Sequence, residues 1–197
     1  VGLLHGIEVD VQQTSDGHWV LMHDDSMARV TGIDRTVKSY TWEELRKITI
    51  QSTPEKRQWN CHPSRCHGRD WMNANAYSGP PVRVGELEEA PIFAREAGLL
   101  VEIDIKHGDM ASLVALVEKT NMMSRVFFCP WEDKHTIALR AASAAAHIYI
   151  PCHQGTCIDS AKNLPAQGVA IRWEGDLSSM REIVNAGLKV HVYEIDE

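Results

Sequence analysis

Glu8 and Asp10 stand two residues apart in GIEVDVQQTSDGHWVLMHDD (residues 6–25), and Glu102, Asp104 and Lys106 repeat that spacing in LLVEIDIK (99–106). Side chains two apart on a strand share a face, so each stretch aims its charged groups at one side and Ile7, Val9, Val11 or Ile103, Ile105 at the other. Several carboxylates gathered in one place repel one another unless a cation neutralises them. An all-oxygen donor set suits a hard ion such as Mg2+ or Ca2+. Taken singly, a Glu-x-Asp pair more often marks the solvent face of a half-exposed strand. His23 follows within a few residues, after the turn signal Ser15-Asp16-Gly17, and imidazole side chains exchange protons near neutral pH.

Positioning such groups takes a scaffold, and the remaining sequence describes one. Residues 6–12 alternate as a strand, Ser15-Asp16-Gly17 turns the chain, and HWVLMH returns as a second extended piece. Thr41 with Glu44 three residues later forms a capping box that predicts a helix start. From residue 85 onward helices near 85–97, 109–120, 133–146 and 177–186 alternate with strands LLVEIDIK, RVFFCP, HIYIPC, GVAIRW and KVHVYEI. Repeated β-α-β alternation predicts a parallel sheet covered by helices, an α/β fold. Polar residues sit toward the C-terminal ends of several strands: Asp10, Asp104, Lys106, Cys129, Cys152, Glu174 and Glu194. A barrel collects its site from many strand ends, whereas an open doubly wound sheet uses one switch point with a Gly-rich loop. The expectation is therefore a TIM-type (β/α) barrel, with about six of eight units present and residues 1–197 forming one partial barrel domain. Residues 51–81, rich in Arg, Asn, Pro, Gly and Trp, form a loop insertion expected as a partial lid at the catalytic end.

Composition narrows the functions. A formal charge of −7 with no basic block argues against nucleic-acid binding, and no apolar run reaches membrane-spanning length. Five cysteines include two Cys-His-x-x-x-Cys stretches, Cys61–Cys66 and Cys152–Cys157, with Cys129 apart. Free thiols, two short disulfide loops and a soft-metal site with His62 or His153 all fit that spacing.

The run GIEVDVQQTSDGHWVLMHDDSMARVTG closely resembles the glycerophosphodiester phosphodiesterase family, whose pattern is E-x-D-V, T-x-D-G, V-x-x-H-D and R-x-T. These elements fall on Glu8 to Val11, Thr14 to Gly17, Val20 to Asp24 and Arg29 to Thr31. The stretch Ile103 to Lys106 is similar to the family's E-I-K strand with Asp104 in place of Glu, and HVYEID to its late V-W-T-V-N strand, with Tyr193 at the aromatic position. The family's Ser-Phe strand end corresponds to Cys129-Pro130-Trp131.

The resemblance implies a TIM-type barrel that hydrolyses a small-molecule phosphodiester, a glycerophospho-alcohol. A divalent ion, Mg2+ or Ca2+, would be held by Glu8, Asp10 and Asp104. His23 would act as general acid on the departing alkoxide. Lys106 would draw charge from the phosphoryl oxygens. Arg29 and Tyr193 are expected at the substrate, Arg29 also as an orienting group for the hairpin and Tyr193 as a pocket wall. A non-catalytic barrel that binds phosphate esters or a partner, and a phospholipase D-like enzyme of the same superfamily, are the alternatives.

The family's opening His-Arg-Gly strand and its last strand have no counterpart between Val1 and Glu197. The second family histidine is thereby missing, His107 being better placed than His5 to replace it. These 197 residues alone are therefore expected to turn over phosphodiesters poorly. Open edges at 7–12 and 188–195 are expected to pair with another copy, giving a homo-oligomer or an aggregate.

Overall fold

The structure, a computed structural model, describes residues 5–50, 81–153, 155–172 and 177–193. Strand β1 (Gly6–Gln13) turns through Thr14–His18 into the short antiparallel β2 (Trp19–Leu21). The short helices α1 (Ala28–Thr31) and α2 (Trp42–Leu45) follow. Then come α3 (Glu89–Ala97), β3 (Leu100–Ile105), α4 (Met110–Lys119), β4 (Val126–Pro130) and α5 (Asp133–Ala142). The chain continues through β5 (His147–Cys152), α6 (Ile158–Asn163), β6 (Gly168–Arg172), α7 (Ser178–Asn185) and β7 (Lys189–Tyr193).

The sheet order is β2-β1-β3-β4-β5-β6-β7, and every pair after β2-β1 is parallel. Six parallel strands laid down in chain order have no point of reversal, so the sheet is singly wound. Its curvature follows from one contact. Glu102 on β3 and His191 on β7 lie four strand steps apart, which in a flat sheet would separate them by about 19 Å. Their side chains nevertheless meet at 2.9 Å, so the sheet curls into a barrel wall. The fold is α/β, a partial (β/α) barrel as expected.

Alternation divides each strand between two environments. Outward side chains Val11, Val101, Ile103, Ile105, Val126, Phe128 and Ile148 pack with Leu113, Val117 and Leu139 of the covering helices. A second cluster joins Ile150, Val169 and Ile171 to Ala161 of α6 and Ile183 of α7. Phe128 is fully buried, and cutting it to alanine would cost about 3–5 kcal/mol. Its neighbour Phe127 faces inward instead, where its ring meets Tyr149 at 5.6 Å and His191 at 5.1 Å. This aromatic layer fills the barrel interior. Gly168 makes room for it, because a Cβ there would lie 2.4 Å from the Lys189 carbonyl oxygen and 2.9 Å from the Tyr149 ring.

Local signals behave as their chemistry predicts. Thr41 accepts from the Glu44 amide while the Glu44 carboxylate accepts from the Thr41 amide, so α2 starts on the expected capping box. The expected helices at 133–146 and 177–186 are shorter, ending at Ala142 and Asn185. Helix α6 had no sequence expectation, since its six residues carry Asp, Ser and Asn rather than a helical apolar period. Of the five cysteines, Cys152 and Cys157 form a disulfide and Cys129 is a buried free thiol, while Cys61 and Cys66 lie outside the described residues. So does the expected lid at 51–81, except for Pro81. The expected open edge at 7–12 is corrected in part, because β2 covers Val11 to Gln13 and the Leu21 amide is itself bonded to the Gly85 carbonyl.

Candidate active site

Register does most of the positioning. Glu8 lies beside Glu102 and Asp10 beside Asp104 on adjacent parallel strands, so the two acidic pairs arrive at matching heights with their side chains inside the barrel. One oxygen each from Glu8, Asp10 and Asp104 falls within 4.8 Å of the others. Lys106, just past the end of β3, reaches back with Nζ 2.9 Å from Asp10 Oδ1 and 3.1 Å from Asp104 Oδ1. A cavity of about 560 Å³ opens over this cluster, lined also by His23, Glu102, Cys129, Trp131, His153, His191 and Tyr193.

The electrostatics of the cluster are those of a site short of positive charge. Glu8 opens onto the cavity, yet burial, and then repulsion from Asp10, Glu102 and Asp104, pushes its carboxyl up to about 7. Burial likewise raises Asp104 above the usual carboxylate value, although Lys106 opposes the rise. Burial alone would lower the Lys106 ammonium, but its bonds and attraction to Asp10 and Asp104 outweigh that and hold it above the usual lysine value. One lysine against Glu8, Asp10, Glu102 and Asp104 leaves negative charge in excess. Three convergent carboxylates, all offering oxygen, fit a hard divalent ion.

His23 reaches the cavity from the loop after β2, and two devices hold that loop. The fully buried Gln12 amide donates to the carbonyls of Met22 at 3.1 Å and Asp24 at 2.8 Å. Gln12 Oε1 is therefore an acceptor, and His107 Nε2 donates to it at 3.0 Å. Burial depresses the His107 imidazole. His107 does not line the cavity, so the structure places it as a brace for Gln12. The second device is a chain of charges. Asp24 accepts from His23 Nδ1 at 2.8 Å and, bidentately, from Arg29 Nε at 2.6 Å and its terminal nitrogen at 2.9 Å. The Arg29 bond, followed by that of His23, holds the Asp24 carboxyl below its usual range. With Nδ1–H donated to Asp24, Nε2 is the ring atom left to exchange a proton.

Glu8, Asp10, Asp104, Lys106, His23 and Tyr193 thus meet at one cavity. Arg29 does not line it: its guanidinium grips Asp24 instead of facing the space a phosphate would fill. Sequence reasoning assigned no role at this site to His191, none to Trp131 beyond its place at a strand end, and to His153 only that of a possible soft-metal ligand. Trp131 Nε1 donates to Asp104 Oδ1 at 2.5 Å, and its ring stacks on His153 at 4.7 Å. His191 Nε2 pairs with Glu102, whose other oxygen accepts from the Cys129 thiol at 3.2 Å. Burial first, then the charge of Glu102, keeps that thiol protonated. The signal that finds these residues is parity, since Trp131, His153 and His191 each lie two positions from another inward residue: Cys129, Pro151 and Tyr193.

Comparison with known proteins identifies the family. The model of the glycerophosphoryl diester phosphodiesterase family matches residues 4–149. The chain belongs to that family. A glycerophosphodiester phosphodiesterase of Caldanaerobacter subterraneus subsp. tengcongensis is 49% identical over 43 residues, 22% of this chain and 18% of that protein. A solved glycerophosphodiester phosphodiesterase from Agrobacterium tumefaciens superposes with a TM-score of 0.68 at 19% identity, covering 95% of this chain and 73% of the other. A phosphodiesterase from Oleispira antarctica, solved with the product sn-glycerol-3-phosphate, gives a TM-score of 0.71 at 17% identity, covering 98% and 74%. The matches span between 17% and 52% of the length of the curated relatives.

Proposed function

We infer that this family member is a metal-dependent phosphodiesterase that hydrolyses glycerophosphodiesters to an alcohol and glycerol 3-phosphate. The observation that carries this reading is the convergence of Glu8, Asp10 and Asp104 around the Lys106 ammonium, with His23 on the same cavity. Family membership and the product held by the Oleispira relative support it.

The three carboxylates would hold Mg2+ or Ca2+, which when bound supplies positive charge to the phosphoryl oxygens. Lys106 adds a fixed positive charge beside them, and that charge matters most as the oxygens gain negative character in the transition state. His23 delivers a proton from Nε2 to the leaving alkoxide, while Asp24 and Arg29 keep the ring turned. Arg29 then acts on the reaction through Asp24 and His23 rather than by touching phosphate. Tyr193 forms part of the wall against which the alcohol portion packs.

The test is hydrolysis of a panel of glycerophosphodiesters with Mg2+, Ca2+ or neither, using a polypeptide that carries these residues in its full-length context. Ion-dependent release of glycerol 3-phosphate is the expected result. Ion-dependent turnover confined to lysophospholipids, releasing the head-group alcohol and keeping the phosphate on the acylated glycerol, would replace this reading with a phospholipase D-like one.

A further inference from the structure

Trp131 occupies a position in this site that the acids and His23 do not explain. It lies just past β4 with 39% of its surface exposed, so burial is incomplete and does not by itself fix the direction of the indole. Three contacts fix it instead. Its Nε1–H donates to Asp104 Oδ1. One ring contact is the near-parallel stack on His153, at 4.7 Å and 23°. The Lys106 ammonium lies 5.7 Å from the ring centroid, within the range of cation–π attraction.

Asp104 Oδ1 thereby accepts from two donors, Trp131 Nε1 and Lys106 Nζ. With two donors on that oxygen, Oδ2 is the one that would meet a cation. Partners behind a metal ligand fix its orientation in this way. The stack has an anchor of its own. His153 directly follows Cys152, which is buried at the end of β5 and tied by a disulfide to Cys157 at the start of α6. A covalent tie across five positions limits how far His153 can move from Trp131.

We propose that Trp131 is a positioning residue for the cation site, setting the Asp104 carboxylate through its indole N–H, and that the Cys152–Cys157 disulfide holds Trp131 in place through His153. The inference rests on the reading of Glu8, Asp10 and Asp104 as cation ligands, and its consequence is that reduction of the disulfide loosens the site from outside it.

Two readouts separate this inference from that reading. The first is calorimetric titration of Mg2+ and Ca2+ into wild type, Trp131→Phe and the Cys152→Ser/Cys157→Ser double variant. Phenylalanine keeps an aromatic face and removes the N–H, so affinity should weaken about 10- to 100-fold, with a smaller loss in the double variant. The second is hydrogen exchange of the Trp131 indole N–H by NMR in the ion-free protein. Exchange should be slow in wild type and faster in both Asp104→Ala and the double variant. A wild type that binds neither ion would overturn the cation reading, while the exchange measurement still decides whether Trp131 holds Asp104. Equal affinity in Trp131→Phe, or an indole N–H that exchanges as fast in wild type as in Asp104→Ala, would overturn the proposal. Exchange unchanged in the double variant would remove the disulfide from it.

Discussion

The two sides of the cavity are built differently. On the β1–β3 side, charge faces charge: Glu8 beside Glu102, Asp10 beside Asp104, with Lys106 between two of them. On the β4–β5–β7 side the groups are aromatic or imidazole, namely Trp131, His153, His191 and Tyr193. The acidic side is held by strand register and is electrostatically strained, as the upward shifts of Glu8 and Asp104 attest. The aromatic side is held by stacking, a disulfide and ring contacts, and it carries little fixed charge. A site that must gather a cation and a phosphate needs the first arrangement, and one that must accommodate an uncharged alcohol beside them needs the second. The difference predicts that substitutions on the acidic side act on ion binding and turnover, and those on the aromatic side on substrate affinity, except at Trp131, whose bond to Asp104 carries its effect to the ion.

Asp10→Asn should have the largest effect. It keeps volume while removing one ligand charge, so calorimetry should find tight Mg2+ and Ca2+ binding lost and the thermal midpoint little changed. Turnover should fall by about 10³-fold or more, since the lost charge stabilisation is several kcal/mol and each ~1.4 kcal/mol is tenfold. His23→Gln comes next. Losing a general acid costs about 10²- to 10⁴-fold in kcat, while the ion affinity measured on the same sample should stay at the wild-type value. Arg29→Ala reaches the reaction through Asp24, which it holds with two bonds, so its cost should be about tenfold, or about 1.4 kcal/mol. A loss as large as that of His23→Gln, together with a raised KM, would return Arg29 to the phosphate. Tyr193→Phe should do least, because phenylalanine keeps the aromatic face that lines the cavity. Steady-state kinetics should give kcat and KM within about twofold of wild type. If Tyr193→Phe cost as much as Asp10→Asn, the division between the two sides would fail.

The same division explains what the sequence made legible. Glu8, Asp10, Asp104 and Lys106 stand out because charges recurring at period two in otherwise apolar strands conflict with burial, whereas His23 was legible only as part of the family-like run around it. Barrel class was legible because polar residues gather at several strand ends. Trp131, His153 and His191 were not, since an aromatic or histidine in a strand suits ordinary packing and only the curled sheet brings their strands to the acids. The contact of His191 with Glu102 joins residues 89 positions apart and depends on closure that no local pattern encodes. Arg29 was legible as important but not as a partner of Asp24, because its direction is fixed by the fold of the loop after β2. The choice among thiol, disulfide and metal for Cys152 and Cys157 needed the turn that brings their Cα atoms to 5.9 Å.

The central claim is that Glu8, Asp10 and Asp104 form a cluster overcharged in the absence of a cation, and Glu8 reports on it most directly. Its carboxyl is raised from an ordinary value of 4.5 to about 7. A carboxyl with a raised folded value binds more protons in the folded than in the unfolded protein between those two pH values. Ion-free stability should therefore fall as pH rises from about 4.5 to about 7. A divalent ion competes with that proton, so its affinity should weaken as pH drops below about 7. Following the Glu8 side-chain carboxyl carbon by NMR across pH 4–9, with and without saturating Mg2+ or Ca2+, tests both statements at once. The expected result is a midpoint near 7 without ion that moves well down when ion is added. A midpoint near 4.5 without ion, or one near 7 that neither ion moves, would contradict the account.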